Sequence, residues 1–309
     1  MVRVNTPSTV YVIGATGQLG SALLASRAVP AGVRVVGLGS SDVDITTIAS
    51  VRSALADLHG GDVVINAAAF TDVDGAETSR EAAYAVNADG PANLAAATAA
   101  ARAHLIHVST DYVFGPAASG SRPWASPLEP SDLRDDAQPD TVYGASKLAG
   151  ERAMFAADPN GVVVRTAWVF TGRAPVRDFV TTMRRLEGER DELTVVDDQR
   201  GSPTYAPDLA GGLWELVARM LAGRSHGGSV LHATNAGEAT WCDLARAVFT
   251  ILGADPERVK PCSTEQFPRP APRPPYSVLS AKSWEHAGLT PLRDWRDALR
   301  NALVAPTSG

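Results

Sequence analysis

The chain has 309 residues, 45% apolar and 20% charged, enough for one large globular domain or two modest ones with an ample core. A formal charge of -6 and the lack of a Lys/Arg-rich run argue against nucleic acid as partner. Two cysteines, Cys242 and Cys262, give neither a disulfide framework nor metal-ligand spacing and suit a reducing compartment. No window approaches a membrane span and the start, MVRVNTPSTVYVIG, lacks the apolar stretch of a signal peptide, so the expectation is a cytoplasmic protein without membrane contact.

In chain order, TVYVIG is the first of five short Val/Ile-rich runs, followed by VRVVGLG, DVVINAAA, HLIHVS and GVVVRTAWVF. Such runs read as strands buried on both faces. Between them lie Ala- and Leu-rich segments of helical period, such as AETSREAAYAVNADGPANLAAATAAARA. Strands alternating with helices predict right-handed crossovers and a Rossmann-type, doubly wound parallel α/β sheet. The rhythm loosens after about Arg165. Residues 1–165 are expected to form an NAD(P)-binding domain to which some later segments return, and 166–309 mainly a smaller, irregular α/β substrate-binding lobe. There LTVVDDQRGSPTYAPDLA reads as strand, turn and a helix starting near Pro207, and SVLHATNAGEATWCDLARAVFTIL as strand, loop and helix. FPRPAPRPPYSVLSAKSW is too proline-rich for either element.

The first strand runs into GATGQLG, with Gly14, Gly17 and Gly20 in a G-x-x-G-x-x-G spacing. Glycines between a strand and a helix let backbone N–H groups approach a pyrophosphate at the helix N-terminus. At the end of the second strand an acid would select NAD by accepting from the ribose 2′-OH. Gly39, Ser40 and Ser41 stand there instead, which favours NADPH while leaving NADH possible. Asp44, in DVDIT, suits either the adenine edge or a helix start. Ala67, Ala68 and Ala69 follow the third strand, where small side chains let a flat cofactor lie on the backbone or simply pack a helix.

The fourth strand delivers Ser109, Thr110 and Asp111 to the carboxyl end of the sheet, where open α/β folds place ligands. A hydroxyl there can hydrogen-bond a substrate carbonyl or cap the junction. After the loop-like GPAASGSRPWASPLEPSDLRDDAQPD, Tyr143 and Lys147 stand four apart in TVYGASKLAGER, on one face of a helix. A phenol is a poor acid near neutrality; a nearby ammonium and a nicotinamide are expected to lower its pKa. With the glycine turn and the Ser-Thr-Asp strand end, the pair predicts a hydride-transfer site. Thr110 polarises the carbonyl, Tyr143 donates the proton and Lys147 tunes Tyr143 and reaches the nicotinamide ribose.

GATGQLG, DVVINAAAFTDVDGAE, VSTDYVF, YGASKLAGE, RTAWVF, DDQRGSPT and RPAPRPPYSVLSAK, in this order, resemble the extended short-chain dehydrogenase/reductases, and within them the dTDP-4-dehydrorhamnose reductases. That resemblance implies NAD(P)H-dependent reduction of the C4 ketone of dTDP-4-dehydro-L-rhamnose to dTDP-L-rhamnose, a dTDP-sugar as substrate, a monomer or homodimer, and a place in polysaccharide or cell-wall biosynthesis. It further implies cofactor contacts from Gln18, Leu19, Asp44, Ile45 and Ala69 to Thr71, and substrate contacts from Asp111 and Trp168. Trp168 follows an apolar strand and suits either plain core or an aromatic wall beside a sugar. The segment between Phe114 and Tyr143 is longer than this resemblance leads one to expect, no metal ligands can be placed, and no metal is predicted. Arg173 and Arg273 are candidates by position for the diphosphate, or are solvated.

Two rival assignments remain at this stage. A 4,6-dehydratase would need an Asp-Glu pair after Thr110, where this chain has Asp111-Tyr112, and an epimerase would need further acid–base groups. The other rival is a non-catalytic nucleotide-binding subunit related to the methionine adenosyltransferase regulatory subunit, which an intact Thr110, Tyr143 and Lys147 disfavours.

Overall fold

Six parallel strands form the central sheet of the computed structural model, which describes residues 8–115, 126–173, 175–224 and 226–304. They are β1 (Thr9–Ile13), β2 (Arg34–Leu38), β3 (Val63–Asn66), β4 (His104–Thr110), β5 (Val162–Thr166) and β6 (Val230–His232). Their spatial order is β6-β5-β4-β3-β1-β2. The order reverses between β1 and β3, and the doubly wound sheet is the one the alternation predicted.

Side chains alternate across the sheet because the strand period is two. Val10, Val12, Val63, Ile65, Val162 and Val164 face one layer, and Tyr11, Ile13, Val64, Leu105 and Val163 the other. The first layer comprises the Gln18–Ala25 and Ala206–Leu221 helices, whose Leu23, Leu209, Leu213 and Trp214 are fully buried against it. The second layer comprises Ile48–Ala54, Gly90–Ala101 and Val142–Ala157, which contribute Val51, Leu94 and Met154. The Ala206–Leu221 helix carries Pro207 in its first turn, where a missing N–H costs nothing.

The remaining lobe packs the helices Phe179–Glu189, Trp241–Ile251 and Trp295–Val304 around Phe170, Val180, Val248, Phe249, Trp295 and Leu299. Its strands are mostly stubs: Val169–Phe170 pairs with Thr204–Tyr205, and Arg200–Gly201 with Ala239–Thr240. The proline-rich segment forms no strand or helix between residues 268 and 281 beyond isolated bridges from Tyr276 to Arg200 and from Leu279 to Leu128. Of the long 115–142 segment, residues 116–125 lie outside the described residues; the rest includes a single turn at Pro130–Asp132.

Candidate active site

A cavity of about 700 Å³ runs along the carboxyl ends of the strands. At one end lies the glycine turn. Gly14 adopts φ +78°, and a Cβ there would stand 2.7 Å from the backbone N of Ala68, so only glycine suits the position. Gly17 opens the Gln18–Ala25 helix in extended backbone with no side-chain cap, leaving that N-terminus free to face a ligand. An eight-residue helix with an uncapped start, beside backbone that no side chain screens, suits a dinucleotide pyrophosphate. Gly20 does not line the cavity. Its Cβ would fall 2.1 Å from the Gly14 carbonyl oxygen, so this third glycine seats the helix on the turn.

Apart from Phe70, within the Ala69 to Thr71 stretch, the other predicted cofactor positions line the cavity: Gly14, Gly17, Gln18, Leu19, Asp44, Ile45, Ala67, Ala68, Ala69, Thr71, Tyr143 and Lys147. Gly39 and Ser40 line it too, at the end of β2, with no acid among them. Asp44 serves its own turn as well: Oδ1 accepts from the Thr46 N–H at 3.0 Å and the Thr46 hydroxyl at 2.7 Å, and Oδ2 from Thr47 at 3.2 Å. The Thr46 bonds hold its carboxyl below the ordinary range. Gln18 reaches out of the turn altogether. Its Nε2 donates to the Val169 carbonyl at 3.0 Å and to Asp178 at 3.4 Å, tying the turn to the second lobe.

At the reacting end, β4 presents Thr110 and the Val142–Ala157 helix presents Tyr143 and Lys147, both buried. Thr141 starts that helix by accepting from the Gly144 N–H at 2.9 Å, which sets Tyr143 in its first turn. The Thr110 hydroxyl donates to Asp111 Oδ1 at 2.9 Å and is hydrogen-bonded to the Tyr143 side chain. Tyr112 packs edge-on against Tyr143, with ring centres 5.4 Å apart.

Burial enters the charge states, a contribution that the sequence expectation did not weigh. Burial raises the Tyr143 phenol to about 12, the Asp111 charge pushes the same way, and the Thr110 hydrogen bond only partly opposes them. Tyr143 therefore stands as a neutral phenol, the form that can donate a proton. Burial also lowers Lys147 to about 8 against the opposing charge of Glu151. Asp111 is raised to about 6 by burial, in spite of hydrogen bonds from Ser277 and Thr110. Ser109 lines the cavity, but its hydroxyl is committed to Glu151 at 2.5 Å, within a buried pair between Glu151 and Arg165.

The far wall is aromatic. Trp168 adopts φ +47°, a left-handed conformation that non-glycine residues rarely take. Its ring stacks on Trp241 with centres 3.6 Å apart and planes within 8°, and it leaves Gly201 no room for a Cβ. Both tryptophans line the cavity. Trp241 was not anticipated. The Thr240–Asp243 capping box that places it at the helix start was readable in ATWCDLA, but nothing local connects it to Trp168. The two candidate arginines lie elsewhere. Arg273 donates to Asp74 at 3.0 Å and to the Ala271 carbonyl at 2.8 Å and lines a separate small cleft, and Arg173 is half-buried outside the cavity lining. Among the described residues no group of His, Cys, Asp and Glu could hold a metal ion, and no helix is long and apolar enough to cross a membrane.

Comparison with known proteins places this arrangement. The family model described as RmlD substrate binding domain matches residues 8–307. A dTDP-4-dehydrorhamnose reductase of Mycobacterium tuberculosis (strain ATCC 25618 / H37Rv) is 52% identical over 97% of this chain and 93% of its own. The solved dTDP-4-dehydrorhamnose reductase of Bacillus anthracis str. Ames, in complex with NADP, superposes with a TM-score of 0.84 at 32% identity, covering 97% of this chain and 99% of that one. That of Clostridium acetobutylicum ATCC 824 gives 0.83 at 35% identity, covering 96% and 98%.

Proposed function

Since the chain belongs to the RmlD substrate binding domain family, we propose that it is an NADPH-dependent reductase acting on the C4 ketone of dTDP-4-dehydro-L-rhamnose. The product is dTDP-L-rhamnose, and the reaction belongs to dTDP-rhamnose biosynthesis. One observation carries the reading: Thr110, Tyr143 and Lys147 share a single cavity with the uncapped glycine-turn helix.

NADPH, when bound, supplies a hydride to C4; the absence of an acid at the end of β2 leaves nothing there to repel a 2′-phosphate and so favours NADPH, with NADH a possible substitute. Thr110 turns its one hydroxyl hydrogen from Asp111 to the ketone oxygen and so holds that oxygen beside the Tyr143 hydroxyl. Tyr143, buried and neutral, gives its proton to that oxygen. Lys147 anchors the nicotinamide ribose and provides positive charge as the phenolate forms. Asp111, which accepts from the Thr110 hydroxyl at 2.9 Å before the sugar enters, accepts from a sugar hydroxyl once that hydrogen is redirected, while Trp168 forms the wall against which the sugar lies. Residues 1–165 with later returning segments hold the cofactor, and 166–309 mainly hold the nucleotide sugar. The protein works in the cytoplasm as a monomer or homodimer.

The deciding assay follows oxidation of NADPH and, separately, NADH after addition of freshly made dTDP-4-dehydro-L-rhamnose. Substrate-dependent oxidation with dTDP-L-rhamnose as product is the expected result. Folded protein that binds NADPH yet oxidises neither cofactor would sink the reading.

A further inference from the structure

Behind the proposed catalytic lysine lies a buried polar chain that the reaction does not itself require. Asn66 at the end of β3 and His107 within β4 are register partners in adjacent strands and are almost wholly buried, as is Lys147. The Asn66 Oδ1 accepts the Ala68 N–H at 3.1 Å, which fixes which end of the amide faces which way. Its Nδ2 therefore points at His107 Nδ1, 3.1 Å away, and donates to it. A neutral imidazole carries one N–H, so if Nδ1 accepts, Nε2 bears the hydrogen. That Nε2 faces Lys147 Nζ at 3.4 Å, while Nζ also donates to the Val108 carbonyl at 2.8 Å.

An ammonium has no lone pair with which to accept from Nε2–H, but a neutral amine does. We infer that Asn66 and His107 are positioning residues that hold the Lys147 amine in place and, by presenting an N–H to it, ease loss of the ammonium proton above neutral pH, so that the charge the reaction uses is kept only up to a mildly alkaline limit. The inference rests on the role proposed above for Lys147. The other groups facing Lys147 are few. Tyr143 lies one turn before it on its own helix, and Glu151 one turn after, favouring the ammonium. Glu151 is itself bound by Arg165 of β5 at 2.7 Å and by Ser109 of β4. Burial lowers Lys147 to about 8, and burial together with the Lys147 charge holds His107 well below its ordinary value, so the ring is neutral.

The test reads His107 first, without turnover. Nitrogen-15 NMR of the ring in the wild-type protein should show a bare Nδ1 and a protonated Nε2 at neutral pH. A protonated Nδ1, alone or with Nε2, overturns the inference. Asn66→Asp then reverses the relay: its carboxylate accepts from Nδ1–H, so Nε2 becomes an acceptor and favours the ammonium. The alkaline limb of kcat/KM should move up by about one pH unit with the tautomer reversed in the same spectrum. A limb that stays in place, or that moves while Nε2 keeps its hydrogen, also overturns it. A wild-type protein without turnover at any pH would instead sink the reductase assignment, leaving the ring spectrum to decide this one.

Discussion

The cofactor half of the cavity and the substrate half are built in different ways. On the cofactor side, Gly14, Ala67 and Thr110 each stand at the end of a strand whose register is fixed by parallel neighbours. On the substrate side, Trp168 and Trp241 adjoin two-residue strand stubs and brace each other by stacking. Trp168 also holds a left-handed backbone, a conformation that costs on the order of 1–3 kcal/mol and persists only where neighbours enforce it. Backbone ladders therefore give one half its shape, and a mutually dependent aromatic pair gives it to the other. The first kind of wall tolerates loss of a side chain. The second does not.

Three substitutions would break or sharpen that contrast, beginning with the largest effect. Tyr143→Phe removes the proton donor while keeping the ring that packs on Tyr112, so neither wall should move. Turnover should fall about 10²–10⁴-fold with NADPH affinity unchanged, and a kcat near wild type would refute the assignment. Asp111→Asn acts at the junction of the two halves. Its carboxyl is raised from 3.8 to about 6 in the fold, so the native state holds the extra proton between those values and stability falls as pH rises through the window. Asparagine removes that cost. The variant should be the more stable at neutral pH, by up to about 3 kcal/mol, with the advantage vanishing below the ordinary carboxylate range, and it should lose activity. Thermal melts across pH check this, and an advantage independent of pH would contradict it. Trp241→Ala attacks the braced wall alone. With the stack gone, KM for the nucleotide sugar should rise about tenfold while the NADPH Kd holds. Equal loss of both would show that the two walls are not separable.

Legibility followed the same division. The five strand runs read from TVYVIG to GVVVRTAWVF became β1 to β5, because a two-sided buried strand writes its burial into consecutive residues. Residues at strand ends came with them, which is why Gly14, Ala67 to Ala69 and Thr110, singled out in the sequence, line one cavity. Gly20 was assigned to the cofactor on its motif, and the motif could not separate a glycine that meets a ligand from one that seats a helix. Trp241 left no local sign because its partner is brought to it by the pairing of Arg200–Gly201 with Ala239–Thr240. The surroundings of Arg273 were illegible for a related reason: the carboxylate that holds it lies 199 residues away in sequence. The phenol's pKa was judged from charged neighbours alone, and burial, which raises it and depends on the whole fold, left no local sign.

The interleaving of the sheet with the chain's last third also bears on how the protein emerges from a ribosome. When residue 165 has been made, the glycine turn, Thr110, Tyr143 and Lys147 already exist as chain. β5 nevertheless has no neighbour on its outer edge until Val230–His232 arrives. The sheet face carrying Val10, Val12 and Ile65 likewise waits for Leu209, Leu213 and Trp214, whose indole closes on the Leu23 carbonyl 191 residues back. A nascent chain of that length carries the reacting groups on an unpaired edge and an uncovered apolar face, the form that aggregates or recruits chaperones. Synthesis must run past Trp214 and His232 before there is a nucleotide site to fill.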